Sequence, residues 1–305
     1  MARFAKIAAA LLLITSISSA FADEGASGLY VPGNFGFGSG VTPGPGLYLS
    51  TSAGYYDGDI KVYIDGVKIV LDVVKRPVAT TYAALWVPET KILGGQLGLS
   101  LRSSYNYAWA HGVVTGLIDE DKTVSGWGLG DTIPRAQLGW TAGGWSNTLY
   151  VTGWLPTGHY QRGFEPNTGK NRYGINLGWG VTYLDPRTLL EFDSAIGVTW
   201  SSRNPATDYR NGDAFTWEWA VGKAWTNGLK IGVAGYAYQQ ITGDSGSGAR
   251  LGSFKGRVFG VGPQIVYNTE LLRQPVIFNL HNYQEFGAVN RFEGNVTTFA
   301  ATFKF

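Results

Sequence analysis

Beyond residue 46 the chain breaks into twelve segments in which apolar and polar residues alternate one for one, at 47–56, 78–87, 96–107, 131–141, 145–155, 174–184, 188–200, 214–225, 229–240, 254–267, 275–286 and 295–305. Side chains point alternately to the two faces of a strand, so each segment is a ribbon with one apolar and one polar wall. On one segment Leu190, Phe192, Ser194, Ile196, Val198 and Trp200 alternate with Glu191, Asp193, Ala195, Gly197 and Thr199. On the last, Phe299, Ala301, Phe303 and Phe305 alternate with Thr298, Ala300, Thr302 and Lys304. Most segments have about the length that a tilted strand needs to cross a bilayer, ~9–11 residues.

The connections also alternate. Short ones lie at 88–95, 142–144, 185–187, 226–228 and 268–274, and long polar ones at 57–77, 108–130, 156–173, 201–213, 241–253 and 287–294. Short turns opposite long loops, with an even strand number, predict an all-β, up-and-down antiparallel transmembrane barrel in the bacterial outer membrane. Twelve strands close with both chain ends on the short-turn side. A fourteen-strand alternative would make spanning strands of the runs that flank Asp65-Gly66, a hairpin turn signal. Those runs are short and carry Lys61, Lys68 and Asp72, so the expectation is a hairpin above the membrane. Trp86, Trp140, Trp145, Trp154, Trp200 and Trp225 lie near predicted strand ends, where rings settle at the headgroup level in aromatic girdles.

Residues 1–22 read as a secretory signal: Arg3 and Lys6 precede an apolar run over 7–14, and Ala20-Phe21-Ala22 forms a cleavage site before Asp23. The apolar run is too short for a transmembrane helix, which takes about 20 residues. Of 24 basic and 22 acidic residues, removal of Arg3 and Lys6 leaves 22 of each, with no basic footprint for nucleic acid. Residues 23–46 are rich in Gly and Pro and form no regular element. They are either a periplasmic lead-in or a plug in the lumen, and residues 47–305 form the barrel.

The chain has no cysteine and three histidines, none in a short-spaced pair, so no metal site or cofactor is expected. Gly243-Asp-Ser-Gly246 imitates a protease nucleophile segment but lacks a partner motif, and it reads as a turn. An enzymatic role is not expected. Alternation places Arg102, Arg135, Glu191, Asp193, Glu218, Lys230, Tyr236, Tyr238, His281, Tyr283 and Glu285 on the lumen wall. These charges either pair across a narrow interior and close it, or line a path for a small solute. The terminal face of Phe299, Phe303 and Phe305 resembles the signal read by outer-membrane assembly machinery.

Several stretches together resemble one family. They are Gly128-Leu-Gly-Asp-Thr-Ile-Pro134, Leu155-Pro-Thr-Gly-His-Tyr160, the run from Asn204 to Asp213, the run from Gly235 to Asp244, the run from Phe254 to Pro263, and the Pro45-Gly46 step. In this order the chain is similar to the outer-membrane, transporter-like proteins of the MetA pathway of phenol degradation. The resemblance implies a β-barrel that takes up small hydrophobic or aromatic molecules passively. Most of these stretches fall at the long-loop ends of strands. There they either fix loop backbone or, through Tyr160, Asp208, Tyr209, Gln239 and Asp244, gate the solute. Two other functions are alternatives on these residues: an adhesive or structural barrel whose loops bind a partner, and a lipid-acting enzyme.

Overall fold

The computed structural model describes residues 23–26, 28–64, 69–115, 120–162, 166–250 and 252–305. The expected signal segment and the expected turn at Asp65-Gly66 lie outside the described residues.

Twelve antiparallel strands close into a ring: β1 (Gly46–Ile64), β3 (Val78–Val87), β5 (Gly95–Thr115), β7 (Ile133–Ala142), β8 (Trp145–Trp154), β9 (Gly174–Leu184), β10 (Leu190–Ser201), β11 (Ala214–Ala224), β12 (Leu229–Gln240), β13 (Arg257–Leu271), β14 (Gln274–Val289) and β15 (Glu293–Lys304). Each pairs with its neighbours along the chain, and β15 returns to β1 in a register that opposes Tyr48 to Lys304 and Asp59 to Glu293. Closure leaves no free edge, as a lipid environment demands of every backbone N–H and C=O. The terminal residue completes the seam. Leu47 N–H donates to Phe305 O at 3.0 Å, and Phe305 N–H donates to Leu47 O at 2.7 Å.

The period-two pattern becomes two walls. Along β10 burial alternates residue by residue, with Glu191, Asp193, Ala195 and Thr199 inside and Phe192, Ile196 and Trp200 outside. Around the ring the outside is apolar, with Leu149, Leu177, Trp217, Val233, Leu280 and Phe299 among the exposed residues. A belt of this kind around a closed barrel faces acyl chains, and alternation puts the polar residues in the interior. Strand ends fall within a few residues of the expected ones at most positions.

Among the described residues, three further strands stand outside the ring. β4 (Lys91–Ile92) is a short pairing in a periplasmic turn. β2 (Ile69–Lys75) pairs with the far half of β1 and with β5, and β6 (Glu120–Leu129) pairs with the far half of β5. The expected hairpin above the membrane is thus half of a four-stranded extension in the order β1-β2-β5-β6, and the connection at 108–130 is mostly strand rather than loop.

Trp154 corrects the girdle expectation. It follows Ser146, Thr148, Tyr150 and Thr152 on the inner face of β8 and is 4% exposed, whereas Trp145 on the same strand is 51% exposed. Two-residue alternation, not nearness to a strand end, decides its side.

Candidate functional site: a polar lumen threaded by residues 23–45

Inside the ring the core is polar. Thr148, Asn176, Thr182, Glu191, Asp193, Thr216, Glu218 and Gln264 are buried there beside Tyr150, Tyr236, Tyr238 and Tyr283. Buried polar groups require partners, and the N-terminal segment supplies most of them. It runs down the lumen from the extracellular mouth to the periplasmic rim, where it turns into β1. Apart from a short 3₁₀ turn, Glu24–Ala26, its described residues have no regular structure, so their backbone amides are free to bond the wall.

Contacts at the extracellular mouth hold its first residues. Asp23 pairs with Arg291 and accepts hydrogen bonds from Asn211 and, at 2.9 Å, from Tyr238 Oη. Glu24 pairs with the buried Arg172 at 2.6 Å and accepts from Thr207 Oγ1 at 2.7 Å and Asn204 Nδ2 at 2.8 Å. Lys75 of β2 donates to Gly25 O at 2.7 Å, which joins the extension to the same contact set.

Midway down, Glu218 of β11 gathers three donors: Tyr30 Oη, the Gly33 amide at 3.0 Å and the Phe35 amide at 2.7 Å. Phe35 stacks on Tyr150 with ring centroids 5.1 Å apart, and the Arg135 guanidinium lies 4.1 Å from the Tyr150 ring centroid and 4.9 Å from that of Phe35. Arg102 donates to Asn34 Oδ1 at 3.1 Å.

Near the periplasmic rim, the Gly38 amide donates to Asp193 Oδ1 at 2.9 Å and to Glu191 Oε1 at 3.1 Å, and the Ser39 amide donates to Asp193 Oδ1 at 3.1 Å. Lys230 pairs with Glu191 and sits 5.1 Å from the Phe37 ring centroid. Gly40 explains the glycine richness: a Cβ there would fall 2.4 Å from Thr182 N and 2.5 Å from Ser146 O, both backbone atoms that cannot swing aside. The wall makes room in return, since a Cβ on Gly222 would lie 2.4 Å from Phe37 Cζ.

All the lumen residues named from alternation face this interior. Glu191, Asp193, Glu218, Tyr238, Arg102, Arg135 and Lys230 touch the N-terminal segment. Tyr236 Oη donates to Glu285 at 2.8 Å, as does Tyr56 Oη. Among the described residues, His281 Nδ1 and Tyr283 Oη are buried without a hydrogen-bond partner, and their ring centroids lie 4.9 Å apart. The residues that alternation could not reveal are those of the segment itself, because its bonds come from backbone amides that no side-chain pattern encodes.

The loop residues divide. Tyr160 Oη accepts from Asn204 Nδ2 at 3.1 Å, beside the Glu24 contact. Tyr209 donates to the buried Asp244 at 2.5 Å. Asp208 faces outward and ties two loops together: it accepts from Ser247 Oγ at 2.6 Å and Arg203 at 2.8 Å. Those bonds, Ser247's first, hold its carboxyl down at about 2. Gln239 is a correction, for it belongs to β12 on the outer face, and its neighbour Gln240 points inward to bond Asp244 at 2.7 Å. The Gly128–Pro134 stretch is structural, since Asp131 accepts the Gly158 and Lys170 amides at 2.9 Å each and folds the following loop against the barrel rim.

A cavity of about 890 Å³ opens at the mouth between the β1–β2 hairpin and β14–β15, lined by Asp57, Asp59, Asp72, Arg76, Arg291 and Glu293 among others. Arg291 therefore faces both this vestibule and Asp23.

A closed twelve-stranded barrel, apolar outside and polar within, defines the class: an integral β-barrel protein of the bacterial outer membrane. The chain belongs to the family described as "Putative MetA-pathway of phenol degradation", whose profile matches residues 63–300. No curated protein matches its sequence. Among solved structures it resembles the COG4313 outer membrane channel from Pseudomonas putida F1, with a TM-score of 0.65 and 15% identity over 90% of this chain and all of that one. At this identity the likeness establishes the fold. The transport unit of the Escherichia coli autotransporter AIDA-I (TM-score 0.44, 9% identity, 95% of this chain and 96% of that one) and a Pseudomonas aeruginosa FadL homologue (0.41, 8%, 85% and 89%) are more distant barrels, and no argument rests on them.

Proposed function

We propose that the protein is an outer-membrane channel for small hydrophobic or aromatic molecules, and that residues 23–45 are a displaceable plug in its path. One observation carries this reading. The lumen is filled by a segment that, beyond the Glu24–Ala26 turn, has no regular secondary structure among the described residues, and hydrogen bonds from its backbone amides to wall carboxylates hold much of it in place. Single hydrogen bonds contribute modestly to net stability, about 0.5–1.5 kcal/mol each. A segment held this way can leave without unfolding a ring whose strands are bonded to each other. Once it leaves, the wall offers Tyr150, Tyr236, Tyr238 and Tyr283 for stacking and carboxylates and amides for polar contacts.

The vestibule beside Arg291 supplies the approach from outside. The aromatic substrate class follows from the family's description, and the aromatic lumen wall is compatible with it. Passage is passive, carried by the gradient that catabolism inside the cell maintains. Chemistry on the solute is not part of this reading. The Phe299, Phe303 and Phe305 face serves recognition by the assembly machinery.

Flux into proteoliposomes tests the proposal. Phenol-sized aromatic solutes should enter faster than sugars of equal size, and faster still without residues 23–45. Equal, background-level entry of both solute classes with both proteins would overturn it. A second reading, partner binding by the β1-β2-β5-β6 extension, rests on that sheet standing beyond the ring. It predicts that deleting the extension leaves flux unchanged and abolishes adhesion to a surface or cell.

A further inference from the structure

The backbone nitrogen of Asp23 donates to Asp244 Oδ2 at 2.9 Å. Asp23 is 1% exposed and Asp244 2%. The other donors to Asp244 are neutral: Tyr209 Oη at 2.5 Å, Gln240 Nε2 at 2.7 Å and the Gly212 amide at 2.8 Å. The neighbouring acids have cations, Asp23 with Arg291 and Glu24 with Arg172, but among the described residues no Lys, Arg or His pairs with Asp244. A carboxylate taken out of water without a counter-charge is unfavourable. Burial accordingly pushes the Asp244 carboxyl above its usual range, against the opposing hydrogen bond from Tyr209.

The donor that reaches this carboxylate is the first residue after the expected signal-cleavage site. Hydrolysis of the Ala22–Asp23 bond consumes one water. Its oxygen joins the Ala22 carbonyl carbon, which leaves as a carboxylate. Its two protons end on the Asp23 nitrogen, which already carries one. An α-amine titrates near 7.7–8.0 when free, about that range, and an opposite charge at hydrogen-bond distance keeps it protonated.

We propose that Asp244 is a receptor site for the chain's own new α-ammonium, so that signal removal creates a buried ion pair which latches residues 23–45 into the lumen. Before cleavage the same atom is a neutral amide donor, and the site lacks its cation. Processing therefore completes the seating of the segment, and the exported protein alone has the full latch. Tyr209, Gln240 and the Gly212 amide orient the Asp244 oxygens, and Arg291 and Tyr238 hold the Asp23 side chain so that its nitrogen faces them. The inference rests on the cleavage reading and on the seating of residues 23–45; it does not depend on what the channel carries.

The test uses protein extracted from outer membranes and an amine-reactive ester at neutral pH, which prefers the α-amine to lysine. Intact mass identifies the first residue, and peptide mapping reads the labelling rate of that amine. The expected mass begins at Asp23. The expected rate is at least about tenfold slower in the folded protein than in urea, with Asp244→Asn restoring most of the lost reactivity and Asp244→Glu restoring little, a factor equivalent to about one pKa unit of interaction. Labelling of the folded wild type at the unfolded rate would overturn the latch while leaving the cleavage site intact. A first residue other than Asp23 overturns both. If Asp244→Asn fails to give a heat-modifiable barrel, a chain refolded with one extra Gly before Asp23 decides. Its amine should label about as fast as in urea, and protection equal to that of the wild type would refute the ion pair.

Discussion

Glu218 of β11 accepts the Phe35 amide at 2.7 Å, although 183 residues separate the two along the chain. With the Tyr30 hydroxyl and the Gly33 amide it makes one wall carboxylate the partner of three groups on the threading segment. Glu218→Ala leaves all three without their acceptor. Each buried donor that loses its partner costs about 1–3 kcal/mol, so the plug should open at least about tenfold more often while the barrel still assembles. Glu218→Gln keeps one acceptor oxygen and should give a smaller rise. Single-channel open probability measures both.

Phe37 fills the space that Gly222 leaves on the lumen wall and lies beneath Lys230. Phe37→Ala removes that packing, at less than the ~3–5 kcal/mol of a fully buried phenylalanine. The expected outcome is faster trypsin cleavage in the N-terminal segment with no change in heat-modifiability of the barrel.

Asp208 gives the loop cluster an acid limit. Its folded value is about 2, below the usual carboxylate value of 3.8, with Ser247 the largest cause. A depressed carboxylate stabilises fully above the unfolded value, and that contribution is lost as pH falls through the folded one. The Arg203–Asp208–Ser247 tie should therefore persist down to roughly pH 4 and loosen toward about pH 2. Pepsin nicking of the 201–213 and 241–253 loops, followed down this range, checks it. Asp208→Asn should nick at a rate much less dependent on pH.

Phe305 closes the seam through two hydrogen bonds to Leu47 and presents an exposed ring to lipid. Deleting it removes both bonds and the terminal aromatic. The fraction recovered folded in the outer membrane should fall severalfold, whereas a Phe305→Tyr variant should assemble normally.

The ring was legible because each spanning strand answers to two solvents, and alternation such as Glu191–Phe192–Asp193 records both. β6 was not legible for the same reason. Residues such as Asp121, Lys122 and Thr123 lie beyond the bilayer, where neither face must be apolar, so this half of the strand carries no period-two signature. Trp154 and Gln239 were misplaced by nearness to strand ends, although their parity relative to Tyr150 and Tyr238 already assigns their sides. For residues 23–46 the sequence left two places open, a periplasmic lead-in or a plug in the lumen. Their partners were unreadable because the bonds at Gly33, Phe35, Gly38 and Ser39 leave from backbone nitrogen.

Conductance in planar bilayers, compared between the protein beginning at Asp23 and the same barrel lacking residues 23–45, decides whether the segment blocks the lumen. The expected result is a low or rarely open conductance for the protein beginning at Asp23 and a larger, steadily open one for the truncated barrel. Equal conductance from two properly folded barrels would contradict it.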